Sequence, residues 1–415
     1  MSTNYINNSL FIEKVKIETL VKNNLTPFYV YSSDSIKENF NLLKKNLGKN
    51  IYYSVKANSN QTIISLLSGL GSGFDVVSEE ELIRVLKINV DPKKIIFEGV
   101  GKTDQAIKIA IEKEIKQINI ESINEIKIVN NIAKKLNKRI NIGIRINPDI
   151  DAKTNYKITT GTKCNKFGID IKDLYKAIDL VQLSKNLKMS GISCHLGSQI
   201  FSIKVFENLF IKMKKIVEIL EKRKISIKNL DLGGGMGVDQ NNNQKFKISS
   251  LGKIVKKYFG NVKYEISFEP GRFLIANSGI LISKVLMTKK TGNINFAIID
   301  AGMNTFMRPA LYNAFHKIIP IKKKKSTQKY TVAGPICETS DIFYKNIMLS
   351  KLSIGDFVAI LNTGAYGSVM SSNYNSKILP AELIVSGNRY ETIRFSQNII
   401  ELISKDKVPY WINDI

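Results

Sequence analysis

The stretch Tyr53-Ser54-Val55-Lys56-Ala57-Asn58 delivers one lysine to the end of an apolar run, directly before a segment with helical spacing. An amine placed there is partly desolvated, which favours its neutral, nucleophilic form and suits it to Schiff-base chemistry with a carbonyl group. Lysine is abundant in this chain and an arbitrary one is a solvated charge, so it is the setting that separates Lys56 from the rest. Three further stretches carry reactive groups. Ser193-Cys194-His195-Leu196-Gly197-Ser198 offers an imidazole and a hydroxyl, Asp231-Leu232-Gly233-Gly234-Gly235 a run of glycines, and Glu269-Pro270-Gly271-Arg272 a carboxylate and a guanidinium. Consecutive glycines let backbone N–H groups approach an anion closely, because no Cβ intervenes and positive φ is allowed. Each stretch is ordinary taken singly. A triple glycine is often only a turn, His195 reads as a satisfied core residue, and Glu269 as an ion-pair partner of Arg272.

The elements that must position these groups give them a common place. Apolar runs at 51–55, 73–77, 94–98, 117–121, 141–146, 191–195, 229–232 and 265–269 read as eight strands. Between them lie amphipathic segments such as 61–70, 78–86, 104–113, 123–136, 171–183 and 205–222. Eight strand-then-helix units predict an α/β fold, a (β/α)8 TIM-type barrel over residues 30–279, with a Rossmann sheet as the weaker alternative. The four reactive stretches then fall at the carboxyl ends of strands one, six, seven and eight, where such barrels keep catalytic groups and phosphate cradles. After residue 279 helical spacing fades. Short apolar runs at 280–287, 296–299, 330–333, 357–361 and 383–385 predict a C-terminal β-rich domain over 280–415, a Greek-key-like β-barrel joined by the segment 1–29. Thr291-Gly292-Asn293 punctuates its first two runs as a turn.

Composition bounds the function. A chain of 415 residues that is 43% hydrophobic and 24% charged is expected to be a soluble globular enzyme. The formal charge of +26 comes from lysines spread over most helices, so no nucleic-acid partner is expected; the dense run Lys322 to Lys325 reads as a solvated loop or edge, and Asn241-Asn242-Asn243-Gln244 as a surface loop. Cys164, Cys194 and Cys337 form no CxxC pair and no disulfide framework, which suits a reducing, cytoplasmic setting. No metal site, export signal or membrane partner is expected.

As an ordered set the residues resemble the fold-type III, alanine-racemase-like decarboxylases that depend on pyridoxal 5'-phosphate, and within them the branch acting on meso-2,6-diaminopimelate. The resemblance spans nearly the whole chain. Besides the four stretches above it rests on Gly73-Phe74-Asp75-Val76-Val77-Ser78, Met307-Arg308-Pro309-Ala310-Leu311-Tyr312, Gly334-Pro335-Ile336-Cys337-Glu338-Thr339 and Gly364-Ala365-Tyr366-Gly367. It implies that Lys56 holds the cofactor covalently, that His195 stacks on its ring and that Glu269 meets the pyridine nitrogen. Ser198, Gly234, Gly235, Gly271, Arg272 and Tyr366 are implied to surround its phosphate or the approaches to it. It further implies that Arg272, Arg308, Tyr312 and Tyr366 bind the substrate, the arginines holding a carboxylate, that Glu338 takes an ammonium and Cys337 protonates the product carbanion, giving L-lysine and carbon dioxide, the last step of lysine biosynthesis. Cys337 and Glu338 would serve the neighbouring subunit of a homodimer with shared active sites. Glu338 with Arg308 argues against ornithine, arginine or carboxynorspermidine as substrate, and the presence of both Lys56 and Cys337 argues against a non-catalytic relative. Cys194 and Cys164 are expected to be structural, and Asp75 and Arg145 to support the cofactor or to form buried ion pairs. Ser54, Glu79, Glu80 and Asn165 depart from the family's usual residues at positions expected not to touch the chemistry directly.

Overall fold

The structure, a computed structural model, describes residues 3–151, 160–161, 165–239 and 246–412. Cys164 and the run 241–244 lie outside the described residues. The chain divides into two compact units, one formed by Ile36–Ile275 and the other by Met1–Ser35 with Ala276–Ile415.

In the first unit the strands are β1 Tyr52–Ser54, β2 Gly73–Val76, β3 Ile95–Phe97, β4 Gln117–Ile120, β5 Ile140–Asn147, β6 Leu187–Cys194, β7 Asn229–Asp231 and β8 Glu265–Ser267. They pair in parallel in chain order, with Ser54 beside Asp75 and Ser193 beside Asp231. Backbone bonds from Tyr52 N–H to Phe268 O (2.9 Å) and from Phe268 N–H to Asn50 O (3.1 Å) join the outer strands and close the ring. The expected (β/α)8 barrel is therefore present.

Local chemistry explains its helices. Ser78 and Ser122 accept the N–H of Glu81 and Glu125 three residues on, capping Glu79–Lys87 and Ile123–Lys135, while the same two glutamates accept Val77 N–H (2.9 Å) and Glu121 N–H (2.7 Å). Glu79 and Glu80 stand in the first turn of their helix, where its dipole favours negative charge. Helix Ile203–Lys222 buries Phe206, Leu209, Phe210, Met213, Ile216, Val217 and Leu220, one stripe at helical spacing. Each such side chain contributes roughly 1.5–3 kcal/mol, well beyond the few tenths that propensity decides.

The second unit is a mixed sheet. Its 13-residue strand Gly279–Thr291 pairs along its first half with Phe28–Ser32 and Phe357–Ile360, and from Val285 onward, across a register shift between Val285 and Met287, with Ile294–Ile299. Gln328–Ala333 and Ile342–Leu349 extend one side, Ala381–Ser386 and Arg389–Arg394 the other. The β-rich reading holds. Phe28–Ser32 lies between Gly279–Thr291 and Ala381–Ser386, so the start of the chain is built into this sheet. The hairpin turn is Gly292-Asn293, with Gly292 at φ 56°. Lys322 to Lys325 are exposed, and Lys322 bridges Ser9 at the edge.

Candidate active site

Lys56 sits in the single turn Val55–Ala57 that follows β1, its side chain 39% exposed and its Nζ 3.3 Å from Oδ2 of the fully buried Asp75. The Ser54 hydroxyl reaches the same oxygen at 2.7 Å and also lies 3.0 Å from the Glu269 carbonyl. Ser54 thus touches the group that pairs with Lys56, one hydrogen bond removed from the amine itself. Only the strand register reveals this, by setting Ser54 opposite Asp75. Gly271 packs against both sides of the lysine turn: a Cβ on it would stand 3.0 Å from that of Ala57 and 3.1 Å from that of Ser54.

The loops after β6, β7 and β8 interlock around the glycine run. Gly234 N–H donates to His195 Nδ1 at 3.2 Å, so this nitrogen carries no proton and the half-buried ring is neutral, protonated at Nε2. Burial, with the Arg145 and Lys56 charges, holds the His195 pKa well below its ordinary value. A Cβ on Gly234 would lie 2.2 Å from the Glu269 carbonyl, and one on Gly235 2.4 Å from that of Gly197. Asp231 anchors the run by accepting Gly233 N–H (2.7 Å) and the Ser267 hydroxyl (2.6 Å). Buried Arg272 donates to the Ser198 hydroxyl from Nε (3.1 Å) and Nη2 (3.0 Å).

Buried carboxyl groups crowd this end of the barrel. Arg145 pairs with Glu121 at 2.9 Å and Glu98 at 3.5 Å, the ion-pair arrangement that was one of its two expected roles. Burial, reinforced by Asp231, Asp75 and Glu98, pushes the Glu269 carboxyl well above the usual range, against Lys56. Its Oε1 is buried with no hydrogen-bond partner among the described residues. Burial likewise raises Glu81, a residue passed over in the sequence although its Ser-x-x-Glu spacing signals a cap, to about 7. Cys194 is buried, 3.6 Å from the Asp231 carbonyl, and burial raises its thiol well above the ordinary value; it is a core residue.

The second unit gathers a different set. Arg308 opens helix Arg308–Tyr312, is buried, and places its guanidinium 5.4 Å from the Tyr312 ring centre and 6.0 Å from that of Tyr366. Its Nε donates to His316 Nε2 at 3.4 Å, and His316 Nδ1–H to the Leu361 carbonyl at 2.9 Å, a tie that its sequence position gives no sign of. Cys337 and Glu338 stand exposed between strands Gln328–Ala333 and Ile342–Leu349. Asp341 fastens this turn by accepting N–H groups of Ile336 (2.8 Å) and Met303 (2.7 Å).

In the barrel, then, Lys56, His195, Ser198, Gly234, Gly235, Glu269, Gly271 and Arg272 form one linked constellation. It offers an amine, a flat neutral ring, backbone and guanidinium donors for an anion, and a buried carboxyl oxygen awaiting a partner. These are the groups that pyridoxal phosphate requires, with its aldehyde, planar ring, phosphate and pyridine nitrogen. No group of three or more metal-ligating side chains occurs among the described residues.

Residues 33–276 match the family described as pyridoxal-dependent decarboxylase, pyridoxal binding domain. A diaminopimelate decarboxylase of Aquifex aeolicus is 40% identical over 397 residues, covering 95% of this chain and 94% of that protein. One from Vibrio cholerae is 40% identical over 404 residues, covering 96% and 97%. The crystal structure of diaminopimelate decarboxylase from Helicobacter pylori complexed with L-lysine matches with a TM-score of 0.90 at 39% identity, covering 94% of this chain and 98% of that one. That of the M. jannaschii enzyme in co-complex with L-lysine matches with a TM-score of 0.94 at 36% identity, covering 98% of each. With a cofactor constellation that fits and near-full-length identity of this order, the chain belongs to the diaminopimelate decarboxylase family of pyridoxal-dependent decarboxylases.

Proposed function

We infer that this chain decarboxylates meso-2,6-diaminopimelate to L-lysine and carbon dioxide with pyridoxal 5'-phosphate bound at Lys56. The observation that carries the reading is the Lys56 amine 3.3 Å from buried Asp75, within an acid cluster whose Glu269 Oε1 has no partner among the described residues. When bound, pyridoxal phosphate supplies the electron sink for the bond broken at the α-carbon. Asp75 holds the Lys56 amine in place, and Glu269 would hold the pyridine nitrogen of the cofactor. His195, neutral through the Gly234 N–H bond, would offer the cofactor's ring a flat face without adding charge. Ser198, Gly234, Gly235, Gly271 and Arg272 serve the phosphate and its approaches, joined by Tyr366.

The substrate carries an amino-acid group at each end. Arg308, desolvated and flanked by the Tyr312 and Tyr366 rings, is suited to a carboxylate, as is the planar fork of Arg272. Glu338, held below the usual carboxylate range by Tyr374 and Ser340, stays charged for an ammonium. One carboxylate leaves as carbon dioxide, its electron pair remains at carbon, and the Cys337 thiol donates the proton that completes L-lysine. Exposure of Cys337 and Glu338 in the single chain supports their service to a second copy, in a homodimer with shared sites. The barrel, residues 30–279, acts as the cofactor domain, and residues 280–415 with 1–29 as the domain that selects substrate. A biosynthetic step and an exposed free thiol at Cys337 suit the cytoplasm.

The test is carbon dioxide and amine release by purified protein supplied with pyridoxal phosphate. Meso-diaminopimelate, ornithine, arginine and carboxynorspermidine are compared at equal concentration. Release from diaminopimelate alone is expected; release from another substrate overturns the assignment of Glu338 and Arg308, and none from any, with cofactor bound, overturns the enzyme reading.

A further inference from the structure

The turn that carries Cys337 and Glu338 is braced from outside by one short segment. Glu338 is exposed, and a free glutamate side chain at the surface samples many rotamers, which weakens any contact it makes with a ligand. Here both of its oxygens are engaged: the Tyr374 hydroxyl donates to Oε1 at 2.7 Å, and the Ser340 hydroxyl to Oε2 at 2.9 Å. The next residue along, Asn375, accepts the Cys337 backbone N–H on its side-chain oxygen at 3.2 Å. Asn375 adopts φ 56° and Ser376 φ 55°, a left-handed pair that turns the chain back. Asparagine tolerates that conformation better than most residues. Adjacent residues thus hold adjacent residues, Tyr374 the carboxylate and Asn375 the backbone of the cysteine.

We propose that Tyr374 and Asn375 are positioning residues for the reaction, Tyr374 fixing the Glu338 carboxylate as a preorganised acceptor for the substrate's far ammonium and Asn375 fixing the backbone from which the Cys337 thiol delivers its proton. The proposal rests on the roles given above to Glu338 and Cys337. Neither side chain needs to touch substrate. Each removes a freedom that binding or proton transfer would otherwise have to freeze, so the two should fail in different ways. Losing the Tyr374 hydroxyl weakens binding of any molecule with an intact amino-acid end, including L-lysine, which keeps one after decarboxylation. Losing the Asn375 amide leaves binding alone and slows the step that needs the thiol.

The experiment uses holoenzyme and compares Tyr374→Phe, Asn375→Gly, Asn375→Asp and Glu338→Gln. Measured are kcat and KM for meso-diaminopimelate and Kd for L-lysine. Glycine keeps the left-handed turn without the amide; aspartate keeps both the turn and an acceptor oxygen. Tyr374→Phe is expected to raise KM and the L-lysine Kd about tenfold with kcat within about twofold, and to add nothing in a Glu338→Gln background. Asn375→Gly is expected to lower kcat about tenfold at nearly constant Kd, with Asn375→Asp restoring most of it. If Glu338→Gln leaves Kd and KM unchanged, the role of Glu338 itself is wrong and the proposal falls with it. If Glu338→Gln weakens binding but Tyr374→Phe does not, or if the two changes add independently, the brace is refuted for Tyr374. Equal losses from Asn375→Gly and Asn375→Asp, or a loss in Kd rather than kcat, refute it for Asn375.

Discussion

Glu269 shows how one side chain acquires its use from its surroundings. Burial and the Asp231, Asp75 and Glu98 carboxylates drive it towards the protonated form, and the pyridine nitrogen of the proposed cofactor would be a partner for its Oε1, which has none among the described residues. Glu269→Gln puts a neutral amide of the same shape where burial favours the protonated acid. The cofactor-free protein should keep its stability within about 1 kcal/mol, because no buried charge is lost or gained. Decarboxylation should fall by roughly 10²–10⁴-fold, the range of positioned proton-transfer groups. Urea unfolding alongside kcat separates the two effects, and an active variant would show that Glu269 does not govern the ring nitrogen. Ser54→Ala removes a 2.7 Å bond to a fully buried carboxylate. A loss of about 1–2 kcal/mol in unfolding free energy is expected, and an unchanged urea midpoint would mean that Asp75 finds another donor.

At the scale of elements, the glycine run after β7 is set by backbone contact rather than by flexibility. A Cβ on Gly234 would fall 2.2 Å from the Glu269 carbonyl oxygen and 3.0 Å from its carbon, so the loops after β7 and β8 would have to separate. Gly234→Ala should cost about 2–3 kcal/mol in stability and lose the visible absorbance of bound cofactor. Gly292 is the control. It holds φ 56° in the hairpin turn with nothing among the described residues within 4 Å of an added Cβ, so Gly292→Ala should cost only about 1–2 kcal/mol and leave the cofactor spectrum intact. Equal spectra for the two variants would contradict the assignment of the glycine run to the cofactor.

For the whole molecule, the acids buried at one end of the barrel tie stability to pH. The Asp231 carboxyl is raised to about 7, mainly by burial. An acid whose folded pKa exceeds its unfolded value binds its proton more tightly when folded. Its contribution is therefore fully present below about pH 4 and is lost as pH rises through about 7. Cofactor-free protein should lose stability between about pH 4 and 7, by at most about 1.4 kcal/mol per pH unit from this group. Asp231→Asn should show a visibly shallower dependence of the urea midpoint on pH. Parallel slopes for the two proteins would mean that Asp231 ionises freely in the fold.

What the sequence determined by itself was periodic or adjacent. Eight apolar runs alternating with amphipathic segments define the barrel, since strand and helix periods are local properties of the chain. Contiguous motifs such as Glu269-Pro270-Gly271-Arg272 carry their residues together. Strands Ile342–Leu349 and Arg389–Arg394 escaped that reading because lysine, arginine and asparagine break up their apolar pattern. Helix Ile248–Phe259, with a glycine inside it, escaped as well. Tertiary structure alone decided the pairings across distance. Ser54 meets Asp75 through the register of β1 and β2, Gly234 meets His195 where the loops after β6 and β7 cross, His316 meets Arg308 across a turn, and Tyr374 meets Glu338 from 36 residues away. Phe28–Ser32 joins a sheet whose other strands begin 251 residues later, at Gly279. None of these follows from local propensity, because a hydrogen bond between distant residues is fixed by how packed elements bring their ends together, and that is settled only when the whole core closes.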